Sequence, residues 1–200
     1  MPHVVLLGDS IFDNAAYVGG GPAVIDQLRG MLPSQWQATL LAVDGATTRE
    51  VPAQVRHIPN GATHLVVSMG GNDALLESEL LDFPVRSSAD ALRTFARAVR
   101  EFEKSYREAL TACLRKNLPV VVCTIYNGNF PDPDYQLRAS IALSMFDDAI
   151  VRIAREKGCA VIELREICTS SADYANPIEP SVVGGAKIAE AISHAIVEDA

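Results

Sequence analysis

Three short stretches of this chain carry the residue types that acyl transfer needs. Ser10 lies in "VVLLGDSIFDN" (4–14), Gly45 in "VDGATT" (43–48) and Asn72 in "SMGGND" (68–73). A serine hydroxyl is a weak nucleophile until a base takes its proton, and the oxyanion that forms needs hydrogen-bond donors already in place. The backbone N–H groups of Ser10 and Gly45 and the side-chain amide of Asn72 are three such donors. Gly45 has no Cβ to keep a ligand away from its N–H. Taken singly, each residue has a plain structural explanation: Ser10 as a cap or turn residue, Gly45 as a turn glycine, Asn72 as a turn asparagine. Their common position, each just after an apolar run, favours one shared site.

The elements that must position these groups alternate strand-like and helix-like along the chain. "HVVLLG" (3–8), "ATLLAV" (38–43), "THLVVSMG" (63–70), "LPVVVCTIY" (118–126) and "CAVIEL" (159–164) read as strands buried on both faces. Helical patterns separate them. "PAVIDQLRGML" (22–32) opens on a proline suited to a first turn. Segment 88–117 spaces Leu92, Phe95, Val99, Phe102, Tyr106, Leu110 and Cys113 by three and four into one apolar stripe. Residues 135–157 form a further helix, and 181–200 a last one. Repeated βα units predict an α/β fold: a flavodoxin-like three-layer α/β/α sandwich around a five-stranded parallel sheet, strand order 2-1-3-4-5. Ligands in such folds sit beyond the carboxyl ends of the strands, where these three stretches fall, and "DYANPIEPSVVGG" (173–185) is placed to join them. "GGGP" (19–22) has no strand directly before it and does not read as a dinucleotide fingerprint.

On these residues the chain resembles the SGNH hydrolase superfamily, the GDSL-type esterases and lipases. "LLGDSIFDN" is similar to its first block, "VDGATT" to its second, and Gly70-Gly71-Asn72-Asp73 to its third, G-x-N-D. The resemblance runs in order along nearly the whole chain as one domain, 1–200. It implies that Ser10 is the nucleophile of a serine ester hydrolase acting on small acyl or acetyl esters. It further implies that Ser10, Gly45 and Asn72 line the oxyanion hole, with Asp9 and Asp73 bracing the loops. The fourth block, D-x-x-H in the family, reads Asn176-Pro177-Ile178-Glu179 here, followed by Pro180-Ser181 and Gly184-Gly185. Glutamate thus holds the position of the base and asparagine that of its orienting group.

Of the four histidines, His3 and His64 open strands at the end far from the site, His57 follows a crossover helix, and His194 sits late in the last helix. None substitutes for Glu179. A carboxylate can accept the Ser10 proton, and Asn176 can donate a hydrogen bond to it where an aspartate would repel it. Ordinary Glu and His values of about 4.3 and 6.5 differ by roughly 3 kcal/mol of proton-transfer driving force, and burial of Glu179 can recover most of that. The other reading of Glu179 is a carboxylate set near a helix N-terminus, stabilising the turn without doing chemistry. A protein that kept the pocket and lost the base would be a ligand-binding module.

Asp9, Asp13, Asn72 and Asp73 also suit a metallophosphoesterase, but such sites use histidine and none lies in these loops; no metal or cofactor is expected. A net charge of −8 speaks against nucleic acid and anionic membranes as partners, and the densest basic run, Arg93 to Arg107, interleaves with acids as a solvated helix face does. No apolar run is long enough to span a membrane. Cys113, Cys123, Cys159 and Cys168 form no C-x-x-C and read as buried free thiols of a cytoplasmic protein. Substrate contacts are expected from 11–21, 74–88 and 126–135, although "YNGNFPDPD" (126–134) also reads as an ordinary turn.

Overall fold

In the computed structural model, which describes residues 1–197, five parallel strands form one sheet: β1 (His3–Gly8), β2 (Gln37–Leu40), β3 (His64–Ser68), β4 (Val120–Cys123) and β5 (Ala160–Ile162). Their order is β2-β1-β3-β4-β5, as the alternation of the sequence predicts. Register pairs Val5 of β1 with Thr39 on one side and Leu65 on the other. β1 and β3 are buried on both faces, which explains their unbroken apolar runs.

Alternate side chains of β1 feed two separate cores. Val4 and Leu6 pack with helices α1 (Val24–Met31) and α7 (Val182–Val197), whereas Val5 and Leu7 pack with α4 (Ser88–Leu114) and α5 (Pro133–Lys157). Helix α4 is capped by Ser87, whose side chain accepts the Asp90 N–H, and α5 by Asp132, which accepts the Asp134 N–H. Pro22 lies just before α1 instead of in its first turn, because Ala23 occupies the cap. The apolar stripe of α4 is buried from Phe102 to Cys113, while Leu92 at its start is exposed. The last helix is described through Val197; the remainder of the stretch read as helical, 198–200, lies outside the described residues. Short elements fill the connections: α2 (Val51–Val55), α3 (Gly71–Leu76), a 3-10 turn at Ser78–Leu81, α6 (Leu164–Ile167) and a second 3-10 turn at Ser171–Asp173.

All four cysteines are unpaired, with Cys113, Cys123 and Cys168 buried and Cys159 half-buried. Among the described residues no helix is long and apolar enough to cross a membrane.

Candidate active site

Chain geometry at the end of β1 is fixed by Gly8. Its φ is +122°, and a Cβ there would lie 1.6 Å from the Ser68 carbonyl oxygen, so only glycine allows β1 to bend away this close to β3. The buried Gln54 of α2 closes the turn from the other side, accepting the Gly8 N–H at 2.7 Å and donating to the Gly8 carbonyl at 2.8 Å. Asp9 and Ser10 follow, both buried. Asp9 Oδ1 accepts the Ile11 N–H at 3.2 Å.

The second and third strand ends are tied to one another. Asp73 accepts from the Thr48 N–H at 3.0 Å and from its hydroxyl at 2.7 Å. Asn72 Nδ2 donates to the Ala46 carbonyl at 2.9 Å, which uses one of its two N–H bonds. Asp13 accepts the Asp44 N–H at 3.0 Å, and the Tyr17 hydroxyl donates to Asp44 at 2.7 Å, joining the first loop to the second. Gly45 sits at the exposed tip of the second loop with a φ of +77°.

The fourth group arrives from a loop between α6 and α7. Tyr174 and Pro180 form an isolated antiparallel bridge, and the Ala175 N–H donates to the Glu179 carbonyl at 2.8 Å. The loop is held down by the Tyr126 hydroxyl, which donates to the Ile178 carbonyl at 2.6 Å, and by Asn14 Nδ2, which donates to the Pro180 carbonyl at 3.2 Å. Glu179 is carried inward until the Ser10 hydroxyl donates to its Oε1 at 3.0 Å, both side chains buried. Asn176 does not meet the Glu179 carboxylate as expected. Its Oδ1 instead accepts the Ile178 and Glu179 N–H groups at 2.9 and 3.0 Å, because an asparagine at the head of a turn bonds most readily to backbone two and three residues on.

Burial pushes the Glu179 carboxyl up to about 7; the Ser10 hydrogen bond opposes this, and the charge of Asp44 adds to it. Burial pushes Asp9 up to about 8, opposed by its bond from Ile11 and reinforced by the charges of Glu179 and Asp73. The same burial that raises Glu179 thus raises Asp9 further, which favours the protonated form of Asp9 beside it. Glu179 Oε2 is buried with no hydrogen-bond partner among the described residues.

Ser10 and Glu179 line an apolar cavity bounded by α3, α4 and α5. Its walls include Ile11, Leu75, Leu81, Phe95, Ile125 and Phe146. It encloses about 100 Å³, and since one water needs on the order of 10–15 Å³ by the same measure, a short chain of carbons fits. Of the segments expected to contact substrate, 74–88 supplies Ala74, Leu75, Glu77, Ser78 and Leu81, and 126–135 supplies Tyr126, Asn127, Gly128, Phe130 and Tyr135. Tyr126, Asn127, Gly128 and Phe130 thus form part of the cavity wall, while 131–134 are exposed and lead into α5. From 11–21 only Ile11 reaches the cavity; Asp13 and Tyr17 bond the second loop, and Asn14 bonds the start of α1.

Gln54, Asn14, Tyr126 and Asp147 went unread in the sequence. Asp147, fully buried on α5, accepts the Ile125 N–H at 2.8 Å and so fixes the end of β4 at the cavity wall. The signal for Gln54 and Asp147 was a polar residue inside an apolar helical face, which alone does not say what it bonds. His3 and His64 open β1 and β3, at the strand ends opposite Ser10 and Asn72, with His3 bonded to Thr39 at 2.8 Å and His64 to Thr63 at 2.9 Å; no histidine lines the cavity. No cluster of metal-binding side chains forms among the described residues.

A parallel β2-β1-β3-β4-β5 sheet, with a serine just beyond β1 and an asparagine just beyond β3, defines the fold class of the GDSL/SGNH esterases and lipases. The chain belongs to the GDSL-like Lipase/Acylhydrolase family, whose profile matches residues 6–182. Among solved structures it is similar to an extracellular lipase from Streptomyces rimosus, with a TM-score of 0.72 and 15% identity over 98% of this chain and 100% of that one. A lipase from a goat-rumen metagenome gives a TM-score of 0.74 and 18% identity over 98% of each chain. Est24, a carbohydrate acetylesterase from Sinorhizobium meliloti, gives 0.69 and 14% over 100% of each. At these identities the likeness establishes the fold. No curated protein sequence matches the chain.

Proposed function

We propose that the chain is a serine ester hydrolase in which Ser10 forms an acyl-enzyme and Glu179 is the base. The observation that carries this reading is the 3.0 Å hydrogen bond from the Ser10 hydroxyl to a buried glutamate in the wall of an apolar cavity. In the ionised state Glu179 takes the Ser10 proton as Oγ attacks the ester carbonyl carbon. The carbonyl oxygen becomes an oxyanion, received by the Ser10 and Gly45 N–H groups and the second N–H of Asn72. Collapse breaks the ester C–O bond, and the leaving alkoxide takes the proton from Glu179. Water, deprotonated by Glu179, then attacks the acyl carbon; the acyl C–Oγ bond breaks, Oγ takes the proton back from Glu179, and the carboxylic acid leaves. The apolar cavity beyond Ser10 suits the acyl part of an uncharged ester.

Basicity is the requirement that a glutamate meets least easily. A carboxyl raised to about 7 matches an unperturbed imidazole near 6.5, so the shortfall of about two units is removed by burial. A second difference from histidine remains. Proton transfer to imidazole makes a cation beside the oxyanion, whereas transfer to glutamate makes a neutral acid. The single negative charge moves from Glu179 to the oxyanion, and the donors alone hold it. An Asp9 that stays neutral is then an advantage, because a second buried anion would oppose both states.

The test is turnover of short-chain p-nitrophenyl esters together with labelling by a fluorophosphonate. Wild type is expected to hydrolyse the esters and to be labelled at Ser10, and Ser10→Ala to do neither. Equal rates for the two proteins would remove Ser10 from the reaction. The unpartnered Oε2 of Glu179 favours the second reading, a binding module, since nothing orients the carboxylate on that side. That reading requires ligand retention without turnover or labelling.

A further inference from the structure

Next to the cavity lies a groove of different character, formed by the 83–86 segment and the first half of α4. Four arginines line it (Arg86, Arg93, Arg97 and Arg100) against one acid, Asp90. Arg93, Arg97 and Arg100 are spaced by four and three, so they share one helix face. Of the acids interleaved with them in sequence, Asp90 pairs with Arg93 and Glu103 with Arg152, whereas Glu101 makes no ion pair among the described residues and does not line the groove; Glu156 of α5 takes Arg107. Arg86, Arg97 and Arg100 have no ion pair among the described residues. A cationic strip therefore stands on a chain of net charge −8.

The exposed apolar side chains gather around the same place. Leu76, Phe83, Val85, Leu92, Leu137 and Ile141 are between 46% and 75% exposed, and they are six of the ten large apolar residues that face solvent among the described residues. All six lie on segments that form the cavity or the groove. The two share a wall, since Leu81 and Phe95 face the cavity while Phe83, Thr94 and Ala96 face the groove. Scattered exposed leucines need no explanation, but a rim of them around an apolar cavity does.

We infer that this face docks on an anionic lipid surface, with the arginines at the headgroups and the apolar rim seated among the first methylenes. Charge complementarity selects this occupant over a neutral bilayer, and the apolar rim selects it over a nucleic acid, whose phosphate backbone offers nothing to Phe83, Val85 and Leu92. Net charge alone had pointed away from such a partner; the fold separates the arginines from the acids that balance them in sequence.

The proposal goes beyond the ester-hydrolase reading and is tested without it. Sedimentation with phosphatidylcholine vesicles, and with vesicles about one-third phosphatidylglycerol, measures binding directly. Wild type and Ser10→Ala are expected to bind the anionic vesicles equally, to ignore the neutral ones, and to be released at high salt. Each arginine near an anionic surface contributes roughly fivefold, so Arg86→Glu/Arg97→Glu/Arg100→Glu is expected to weaken binding by about a hundredfold or more. The same triple variant is expected to keep wild-type turnover of a water-soluble ester, which also reports that it has folded. Phe83→Ser/Leu92→Ser is expected to weaken binding while leaving its salt dependence intact. Equal binding to both vesicle types, no binding to either, or salt-insensitive binding would overturn the proposal. So would binding of a single-stranded oligonucleotide at a salt concentration where the vesicles stay unbound. Loss of ester turnover in wild type with vesicle binding retained would count against the hydrolase reading alone.

Discussion

The strand ends that carry Ser10, Gly45 and Asn72 and the loop that carries Glu179 are held in different ways. At the strand ends, the sheet sets the backbone and buried side chains lock it: Gln54 on both polar groups of Gly8, Asp73 on two groups of Thr48, Asn72 on Ala46. The Glu179 loop has one bridge to close it, the turn made by Asn176, and two side chains, Tyr126 and Asn14, that grip its carbonyls. Those grips act on backbone and none depends on the side chain at 179. The proposed nucleophile and donors are therefore held by the sheet, while the proposed base is presented by a frame that does not depend on its side chain. On the proposed reading, this is a physical reason why a glutamate at 179 leaves the rest of the site undisturbed.

The most direct way to break the comparison is to remove each reactive group. Ser10→Ala is expected to lower kcat/KM for a p-nitrophenyl ester by roughly 10³-fold or more, since nothing else attacks. Glu179→Gln, which keeps the shape and loses the base, is expected to cost roughly 10² to 10⁴-fold. The pH profile separates base from brace. Wild-type kcat/KM is expected to rise through about pH 7 as Glu179 ionises, and Glu179→Gln to lose that rise. A wild-type rate that is flat from pH 5 to about 8 would leave Glu179 a structural carboxyl.

The next effect belongs to the strand ends. Gln54→Ala takes the side-chain acceptor from the buried Gly8 N–H, while the Gly8 carbonyl keeps the Val43 N–H at 3.0 Å, and the orphaned donor costs about 1–3 kcal/mol. Chemical denaturation is expected to show a loss of a few kcal/mol, with kcat falling as well because Ser10 follows two residues on. Unchanged stability would mean that the sheet alone fixes the Gly8 turn.

Legibility followed the same division. Strand order, the two-sided burial of β1 and β3, and the placement of Ser10 and Asn72 were readable because apolar runs and glycine-bearing strand ends are local patterns. The contact between Ser10 and Glu179 links positions 169 residues apart; only the order of the blocks suggested it, and no local pattern fixes its geometry. The bond expected of Asn176 was mistaken for the reason that makes asparagine common in turns: its side chain satisfies nearby backbone before it reaches a distant carboxylate. The arginine groove was hidden because α4 alternates signs in sequence, and only the packing of α4 on α5 shows which acids are used up.

A smaller effect sharpens the electrostatic side of the comparison. The Asp9 carboxyl is near 3.8 when unfolded and about 8 when folded. Below the lower value both states hold the proton, and its contribution to stability is fully present. As pH rises toward 8, ionisation favours the unfolded chain, and that contribution is lost. Asp9→Asn preserves the acceptor for the Ile11 N–H and has nothing to ionise. Its Tm is expected to match wild type near pH 4 and to exceed it by several degrees at pH 9. Parallel Tm curves across that range would mean that Asp9 keeps an ordinary carboxyl value.

The smallest effect is expected at Asn176, where the two regions differ most plainly. Asn176→Ala frees the N–H groups of Ile178 and Glu179, but this half-buried turn lets water replace the lost acceptor, so the cost is about 0.5–2 kcal/mol, as for a lost cap. Because Tyr126 and Asn14 still hold the loop, KM is expected to stay near wild type while kcat falls by about tenfold or less through a less well-placed Glu179. Asn176→Asp separates the two roles open to this residue. Aspartate can still accept both backbone N–H groups, so stability is expected to return, whereas a direct bond from the Asn176 amide to the Glu179 carboxylate would be lost in Asp as in Ala. Recovery of kcat with aspartate would therefore assign Asn176 to the turn, and failure to recover would return it to the carboxylate.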